Sequence, residues 1–334
     1  MLLSLFCGAG GLDRGFEDAG FEVGLALDRK ADSVESYNLN RKAKVAKEKD
    51  LAGITVGAID KLYGKTFYPS GVIGGPPCQS FSQANVNQKV DDVRTGLPLA
   101  YANLVAALHA RSAMDFFVME NVVGLTLKKH VGTLEAVEKR LDDAGFRTAR
   151  LMLNAKDYDT PQNRPRLFLV GINRRRFPAL NPETMVPPKT GSRTVRQTIG
   201  ELDEPTHFSR GVDMSQHPVH VNHWCMAPKS PKFHQEGGVK PGVKGRSFKM
   251  LDWNSPSIAV AYGHREVHVH PSGRRRLSVY EAMLLQGFPD DYVLHGSLSS
   301  QIDQVSEAVP PTLAYAVAST IKAALRPVQL DEVG

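Results

Sequence analysis

Cysteine is scarce in this chain. Only Cys7, Cys78 and Cys225 occur among 334 residues, without a C-x-x-C pair. Neither a disulfide framework nor a cysteine-based zinc site follows from them. Such usage suits a reducing, cytoplasmic setting. Long hydrophobic runs are missing too: no 18-residue window is uninterruptedly apolar, which argues against a helical membrane span. The opening MLLSLFCGAGG has no basic residue ahead of its apolar run, so it does not resemble a secretory signal. His217, His220 and His223 recur every three residues, but no cysteine or carboxylate completes a zinc set, and no metal is expected. Internal repeats and low-complexity tracts are absent.

What is present suffices for a core. Hydrophobic residues make up 42% of the chain, a globular fraction, and the net charge of +6 points weakly to a polyanionic partner. Apolar strand-like runs at 2–7, 22–27, 70–75, 115–122 and 166–172 alternate with helical patterns after Gly11, over SVESYNLNRKAK, and at 98–113 and 132–144. That alternation predicts an α/β fold with a mostly parallel sheet and helices on both faces. Ligands bind such sheets at the carboxyl ends of strands, where Gly8, Asp28, Cys78, Glu120 and Asn121 fall. After Ile172 the pattern breaks into a loop-rich stretch holding both tryptophans, Trp224 and Trp253. Helical order returns over RRLSVYEAMLLQGFP (275–289) and at 312–325.

Three segments carry chemistry. Gly8, Gly10 and Gly11 follow a strand and open a helix, where glycine lets backbone N–H groups approach a ligand. Asp28 lies at the next strand end, placed to bind ribose hydroxyls. Asp13 stands where a G-x-G-x-x-G pattern needs its third glycine, so an adenosine-type cofactor fits better than a dinucleotide. A tight turn with no ligand fits the same glycines. In GGPPCQSFS (74–82), Pro76 and Pro77 fix the backbone and remove two donors, which aims the Cys78 sulfur rigidly. A thiolate so held is a nucleophile; a buried cysteine beside a proline turn is the plainer alternative. Gln79 to Gly96 is polar and resembles a covering loop. Glu120-Asn121 ends an apolar strand, where burial would raise the carboxyl and let it donate a proton. Arg164 and Arg166 alternate ahead of another strand and are expected on one face.

In this order, LFCGAGGL (5–12), Asp28, Asp50-Leu51, GGPPCQSFS, ENV (120–122), QNRPRLFLVG (162–171), RRLSVYEAMLLQGFP and QVSEAVPPTLA (304–314) resemble the DNA cytosine-C5 methyltransferases. The resemblance implies a Rossmann-like sheet that binds S-adenosylmethionine, with a smaller loop-rich target-recognition domain. It divides the chain into a first catalytic part (1–177), a recognition region (178–262) and a return segment (263–334). It implies methylation of cytosine at C5 in double-stranded DNA at a short specific sequence, by base flipping and a covalent bond from Cys78 to C6. Pro77 and Asn121 would accompany Cys78, Glu120, Arg164 and Arg166 in catalysis. Phe6, Gly8 and Gly10 would line the cofactor site. Asp28 would hold the ribose, Asp50 and Leu51 the adenine, and Arg29 would also belong to the cofactor site. Gln79, Ser82 and Arg94 would touch DNA. A cognate restriction endonuclease is a candidate partner, no membrane is involved, and the chain is expected to act as a monomer near the bacterial nucleoid.

The chain departs from the family pattern at Ser306-Glu307, where Gly-Asn is usual. Tyr280 stands where arginine is frequent. In the recognition region, Arg193, Arg196, His217, His220, His223, Lys229, Lys232, Lys240, Lys244 and Arg246 are candidate base or phosphate contacts. Arg174 to Arg176 and Arg274 to Arg276 are expected to be solvated or to face phosphate. Three other readings compete: the same chemistry on tRNA, an inactive DNA-binding relative, and a nicotinamide oxidoreductase resting on the first 28 residues alone.

Overall fold

The computed structural model describes residues 1–77, 96–209, 211, 213–214, 217–240, 248–259 and 268–326. The first part runs β1 (Leu2–Leu5), α1 (Gly11–Asp18), β2 (Val23–Asp28), α2 (Ala31–Leu39), β3 (Ala46–Glu48), α3 (Val56–Tyr63), β4 (Gly71–Gly74), α4 (Leu97–Arg111), β5 (Phe116–Val122), α5 (Val131–Ala144), β6 (Phe146–Asn154), β7 (Gln162–Asn163) and β8 (Pro165–Asn173). Seven of these strands form one sheet in the order β3-β2-β1-β4-β5-β8-β6. β1 to β5 pair in parallel, whereas β8 runs antiparallel to both β5 and β6. The continuous apolar runs of β1, β4 and β5 are those of strands covered on both faces. Phe116 faces a layer that includes Phe16 and Leu313, and its neighbour Phe117 faces one that includes Tyr101 and Leu141. Successive side chains of a strand point to opposite faces, so one segment feeds both layers.

The strand order reverses at β1, which lies between β2 and β4. Such a reversal opens a crevice at the carboxyl ends of the strands. The glycine turn after β1 and the Pro-Pro loop after β4 therefore leave the sheet side by side. β5, carrying Glu120, is the next strand along.

Several elements lie outside the sequence expectations. Among them, β3, β6, α3 and a helix at Leu298–Glu307 were not anticipated, and α2 is shorter than expected. β6 alternates buried Phe146, Ala149, Leu151 and Leu153 with more exposed residues, including arginines, as an edge strand does. That period of two was legible but interrupted by charge. α2 stops at Leu39 because the Asn40 amide donates to the carbonyls of Ser36 and Val293, both at 2.7 Å, and draws the chain toward the return segment.

The remainder comprises α6 (Val195–Ile199), β9 (Thr206–His207), β10 (Trp224–Cys225), α7 (Pro231–His234), β11 (Ser257–Ile258), α8 (Val279–Leu285), α9 (Leu298–Glu307) and α10 (Pro311–Ala324). Its core is shared between the middle region and the return segment: Val195, Ile199 and Leu251 pack with Leu277, Met283 and Ile302. Residues 268–277 also bond to the middle region, since Leu251 N–H donates to Val269 O at 3.0 Å. α10 returns to pack along α1 beneath the sheet. Among the described residues no helix is long and apolar enough to cross a membrane.

Two of the arginines expected to be solvated are buried. Arg275 and Arg276 are 5% and 7% exposed. Arg275 forks onto the Glu281 carboxylate at 2.9 and 2.8 Å and reaches Glu204 at 2.6 Å, while Arg276 lies over the Phe248 ring at 5.1 Å. Arg174 and Arg176 do make surface ion pairs, with Asp142 and Asp115.

Asp13 is buried on α1, behind the glycine turn. Tyr37 donates its hydroxyl to Asp13 Oδ1 at 3.0 Å. Burial pushes the Asp13 carboxyl from 3.8 up to about 6, with Arg41 pulling the other way and Glu17 adding to the rise. A carboxyl raised by folding is neutral in both states below its unfolded value, and its penalty accrues as pH climbs through the folded value. Asp13→Asn is thus expected to gain up to about 3 kcal/mol of stability at about pH 8 and far less at about pH 4. Denaturant titration at the two pH values checks this; equal gains would contradict it.

Candidate active site

The site grows from three adjacent strand ends. On β5, Glu120 lies opposite Phe168 of β8, and Val122 lies opposite Arg166. Glu120 and Arg166 therefore share one face as diagonal neighbours. Their side chains meet: Arg166 Nε sits 2.8 Å from Glu120 Oε1, with both side chains largely buried. Burial pushes the Glu120 carboxyl above its ordinary value, while Arg166 and then Arg164 draw it back. Gly75 makes room for this carboxylate, since a Cβ there would lie 3.2 Å from Glu120 Oε2. Asn121 turns the other way and donates from Nδ2 to the Pro76 carbonyl at 3.2 Å. It thereby pins the Pro-Pro loop to β5, just ahead of Cys78. Pro77 is the last residue described on that loop; Cys78, Gln79, Ser82 and Arg94 lie outside the described residues.

Arg164 makes contacts of its own on the far side of the strand end. Arg164 precedes β8, is 2% exposed, and donates from Nη2 to the carbonyls of Ser306 at 2.6 Å and Ala308 at 3.2 Å. Gln286 Nε2 meets the same Ala308 carbonyl at 2.6 Å. A buried guanidinium with fixed carbonyl partners acts as a brace. The alternation of the two residues in sequence did not reveal this, because the carbonyls that Arg164 meets lie 142 and 144 residues further along the chain.

The glycine turn is built from in front and from behind. Gly8 has φ +53°, and a Cβ there would meet nothing within 4 Å, so its free face opens to a ligand. Gly10, at φ +85°, is needed for packing instead: a Cβ would strike Arg41 and Tyr37 at 2.8 Å. Arg41 fills that space, stacking on the Tyr37 ring at 3.6 Å and donating to the Gly10 carbonyl at 3.1 Å. Phe6 also has a positive φ, +55°, a strained conformation for a bulky residue. Asp28 ties the two strand ends together, accepting from Gly8 N–H and Lys30 N–H, both at 2.9 Å. Arg29 and Asp50 are exposed, Leu51 is buried, and Asp50 Oδ1 accepts from Ala52 N–H at 2.9 Å. An open glycine face beside a carboxylate at the switch point fits an adenosine cofactor.

The other two cysteines are not nucleophiles. Cys7 and Cys225 are buried; burial pushes the Cys7 thiol well up and the Cys225 thiol to about 12. A thiol so raised stays protonated near neutral pH. Two histidines of the series have partners within the protein. His223 bonds Ser278 Oγ at 2.9 Å and the Asp203 carbonyl at 2.7 Å, and His220 stacks on Tyr280 at 4.2 Å between ring centroids. Burial drops the His220 imidazole to about 4. Arg196 lies over the Trp253 ring at 5.1 Å. Lys244 and Arg246 lie outside the described residues.

A model of the C-5 cytosine-specific DNA methylases matches residues 1–323. The chain belongs to that family. It is a DNA cytosine-5 methyltransferase. The Type II methyltransferase M.FnuDI of Fusobacterium nucleatum is 31% identical, over 97% of this chain and 94% of its own. M.MthTI of Methanothermobacter thermautotrophicus is 30% identical over 96% of each. Among solved structures, an E. coli prophage-encoded chain described as a DNA modification methyltransferase superimposes with a TM-score of 0.78 at 21% identity, over 97% of this chain and 99% of its own. The Dnmt2 methyltransferase of S. pombe does so at 0.64 and 16%, with the same coverage. These likenesses bear on the fold.

Against the family pattern, the methyltransferase carries two residues that sequence reasoning did not connect. Lys30 lies two residues after Asp28, and Glu307 ends the helix at Leu298–Glu307; they form an ion pair at 2.7 Å. No local signal announces a pair 277 residues apart.

Proposed function

We propose that this enzyme methylates C5 of a cytosine flipped out of duplex DNA, at a short specific sequence, with S-adenosylmethionine as donor and Cys78 as transient nucleophile. One observation carries the reading: the buried Glu120–Arg166 pair stands on the strand next to the proline loop that delivers Cys78, with Asn121 holding that loop. The cofactor, seated at Phe6, Gly8, Asp28, Asp50 and Leu51, supplies a methyl group made electrophilic by its sulfonium. The Cys78 thiolate adds to C6 of the cytosine and breaks the aromaticity, leaving an electron pair on C5. Glu120 donates a proton toward N3 and accepts from the exocyclic amine as charge builds on the ring. Arg166 offsets charge at O2, and Arg164 braces the turn behind it. The electron pair on C5 forms the bond to the methyl carbon as the methyl–sulfur bond breaks and its electrons return to sulfur. Water then takes the C5 proton, and the C–H electron pair left behind re-forms the C5–C6 double bond and expels the thiolate.

Flipping draws the base from its stack at roughly a few kcal/mol. Gln79, Ser82 and Arg94 are proposed to meet the DNA there, and residues 178–262 to read its sequence. A restriction endonuclease partner, monomeric action and a cytoplasmic setting complete the proposal.

The test is methyl transfer from S-adenosylmethionine to mixed-sequence duplexes, followed by base-resolution mapping, with tRNA as a parallel acceptor. Methylcytosine confined to one duplex sequence is expected. Modified tRNA with untouched duplex would move the reading to RNA, and no product on either would leave an inactive relative. Glu120→Gln keeps the shape of the side chain but removes its proton donation. It is expected to slow turnover about 10²- to 10⁴-fold with duplex affinity nearly unchanged. A loss below about tenfold in single-turnover assays would remove Glu120 from the chemistry.

A further inference from the structure

Lys30 Nζ meets both oxygens of Glu307, at 2.8 and 2.7 Å. The two residues belong to opposite ends of the chain and to different parts of the site. Lys30 is on the cofactor side: its own N–H donates to Asp28 Oδ1, and Asp28 Oδ2 in turn accepts from Gly8 N–H. Glu307 is on the catalytic side: it lies between Ser306 and Ala308, whose carbonyls both accept from Arg164 Nη2. Polar contacts therefore run from Gly8 through Asp28 and Lys30 to Glu307, and the backbone on either side of Glu307 is held by Arg164.

The position of Glu307 makes little sense for the helix alone. It is the last residue of α9, where the negative end of the helix dipole disfavours a carboxylate. The Lys30 ammonium offsets that disfavour only while the pair is closed. Both side chains are partly exposed, at 34% and 44%, so the pair adds little to overall stability. Its effect should be felt where its partners act.

We propose that the Lys30–Glu307 ion pair is a latch that positions Asp28 and the Gly8 turn for the cofactor, joining the cofactor pocket to the turn braced by Arg164. This rests on S-adenosylmethionine binding at Asp28. Lys30 and Glu307 are positioning residues: they act through Asp28 and Arg164. The latch should therefore appear in cofactor affinity, and in KM for the cofactor more than in kcat.

Calorimetric titration of the full chain with S-adenosylmethionine tests it. The variants are Lys30→Met, Glu307→Gln, their double, and the exchange Lys30→Glu with Glu307→Lys. Each single change is expected to weaken binding about twofold to fivefold, the scale of a partly exposed ion pair acting on one ligand. The double should be no weaker than either single, because the two changes break one interaction. The exchange should recover most of the affinity. High salt should weaken binding to the wild type and leave the double unmoved. Thermal midpoints should shift little throughout. Coupling below about twofold, or weakening that the exchange does not recover, overturns the latch. A wild-type chain that binds no S-adenosylmethionine overturns the cofactor reading and the latch with it. A wild type that binds normally while the variants show no coupling overturns the latch alone.

Discussion

Cys78→Ala is expected to abolish methyl transfer to duplex DNA, by on the order of 10⁴-fold or more, the scale on which losing a covalent nucleophile acts. Binding of S-adenosylmethionine should be unchanged, because the residues proposed to hold it sit on β1, β2 and the turn after β3. The expectation rests on exclusion as well as on placement. Cys7 and Cys225 are buried with raised thiols, so neither can replace the missing sulfur. Asn121 meanwhile fixes the proline loop that leads to position 78. Duplexes carrying 5-fluorocytosine offer an independent view. Fluorine cannot leave C5 as a proton does, so the wild type should accumulate a covalent adduct that survives denaturing electrophoresis, and Cys78→Ala should form none. Turnover by the alanine variant, or an adduct on another residue, would remove Cys78 from the mechanism.

The largest stability effect is expected at Glu281. Its carboxylate is 1% exposed and serves three partners: two guanidinium nitrogens of Arg275, and the Ser278 N–H at 2.6 Å in the capping box that starts α8. Glu281→Ala strands a buried guanidinium whose remaining carboxylate partner, Glu204, is mostly exposed. Breaking a buried pair in this way removes about 3–5 kcal/mol. For a chain of this size that lowers the thermal midpoint by roughly 4–7 °C. Replacing both members with apolar residues, Arg275→Met with Glu281→Leu, should recover much of the loss, since a well-packed apolar pair commonly matches a buried ion pair. Calorimetric melting of both variants decides the matter; a single variant that melts with the wild type would show that the charge is already solvated.

Much of the site was visible in order along the chain. Gly8, Asp28, Pro77, Glu120 and Arg166 are each local features: a turn after an apolar run, or a polar residue closing one. The structure places these features on neighbouring strands, as a reversal of strand order at β1 requires. Other features were hidden because their cause is distant. Gly10 follows a turn but is required by Arg41 and Tyr37, which pack against it from α2 and just beyond. Arg275 and Arg276 sit in a run of basic residues that resembles solvated charge, yet Glu281 and the Phe248 ring draw them inside. His220 and His223 were candidate DNA contacts in sequence, but the Tyr280 ring occupies the first, and Ser278 and a backbone carbonyl the second.

By itself the sequence determined the alternation of strands and helices, the residues at the strand ends and the family those residues resemble. Short-range rules suffice for that: the period of side chains, the turns that glycine and proline permit, and the chemistry of a cysteine beside two prolines. Only the tertiary structure decided which of these residues meet. It sent Arg166 to Glu120 and Arg164 to the turn at 306–308. It set β8 antiparallel and joined Lys30 to Glu307. Contacts between residues hundreds of positions apart depend on how whole elements pack, and no local pattern encodes a partner's position.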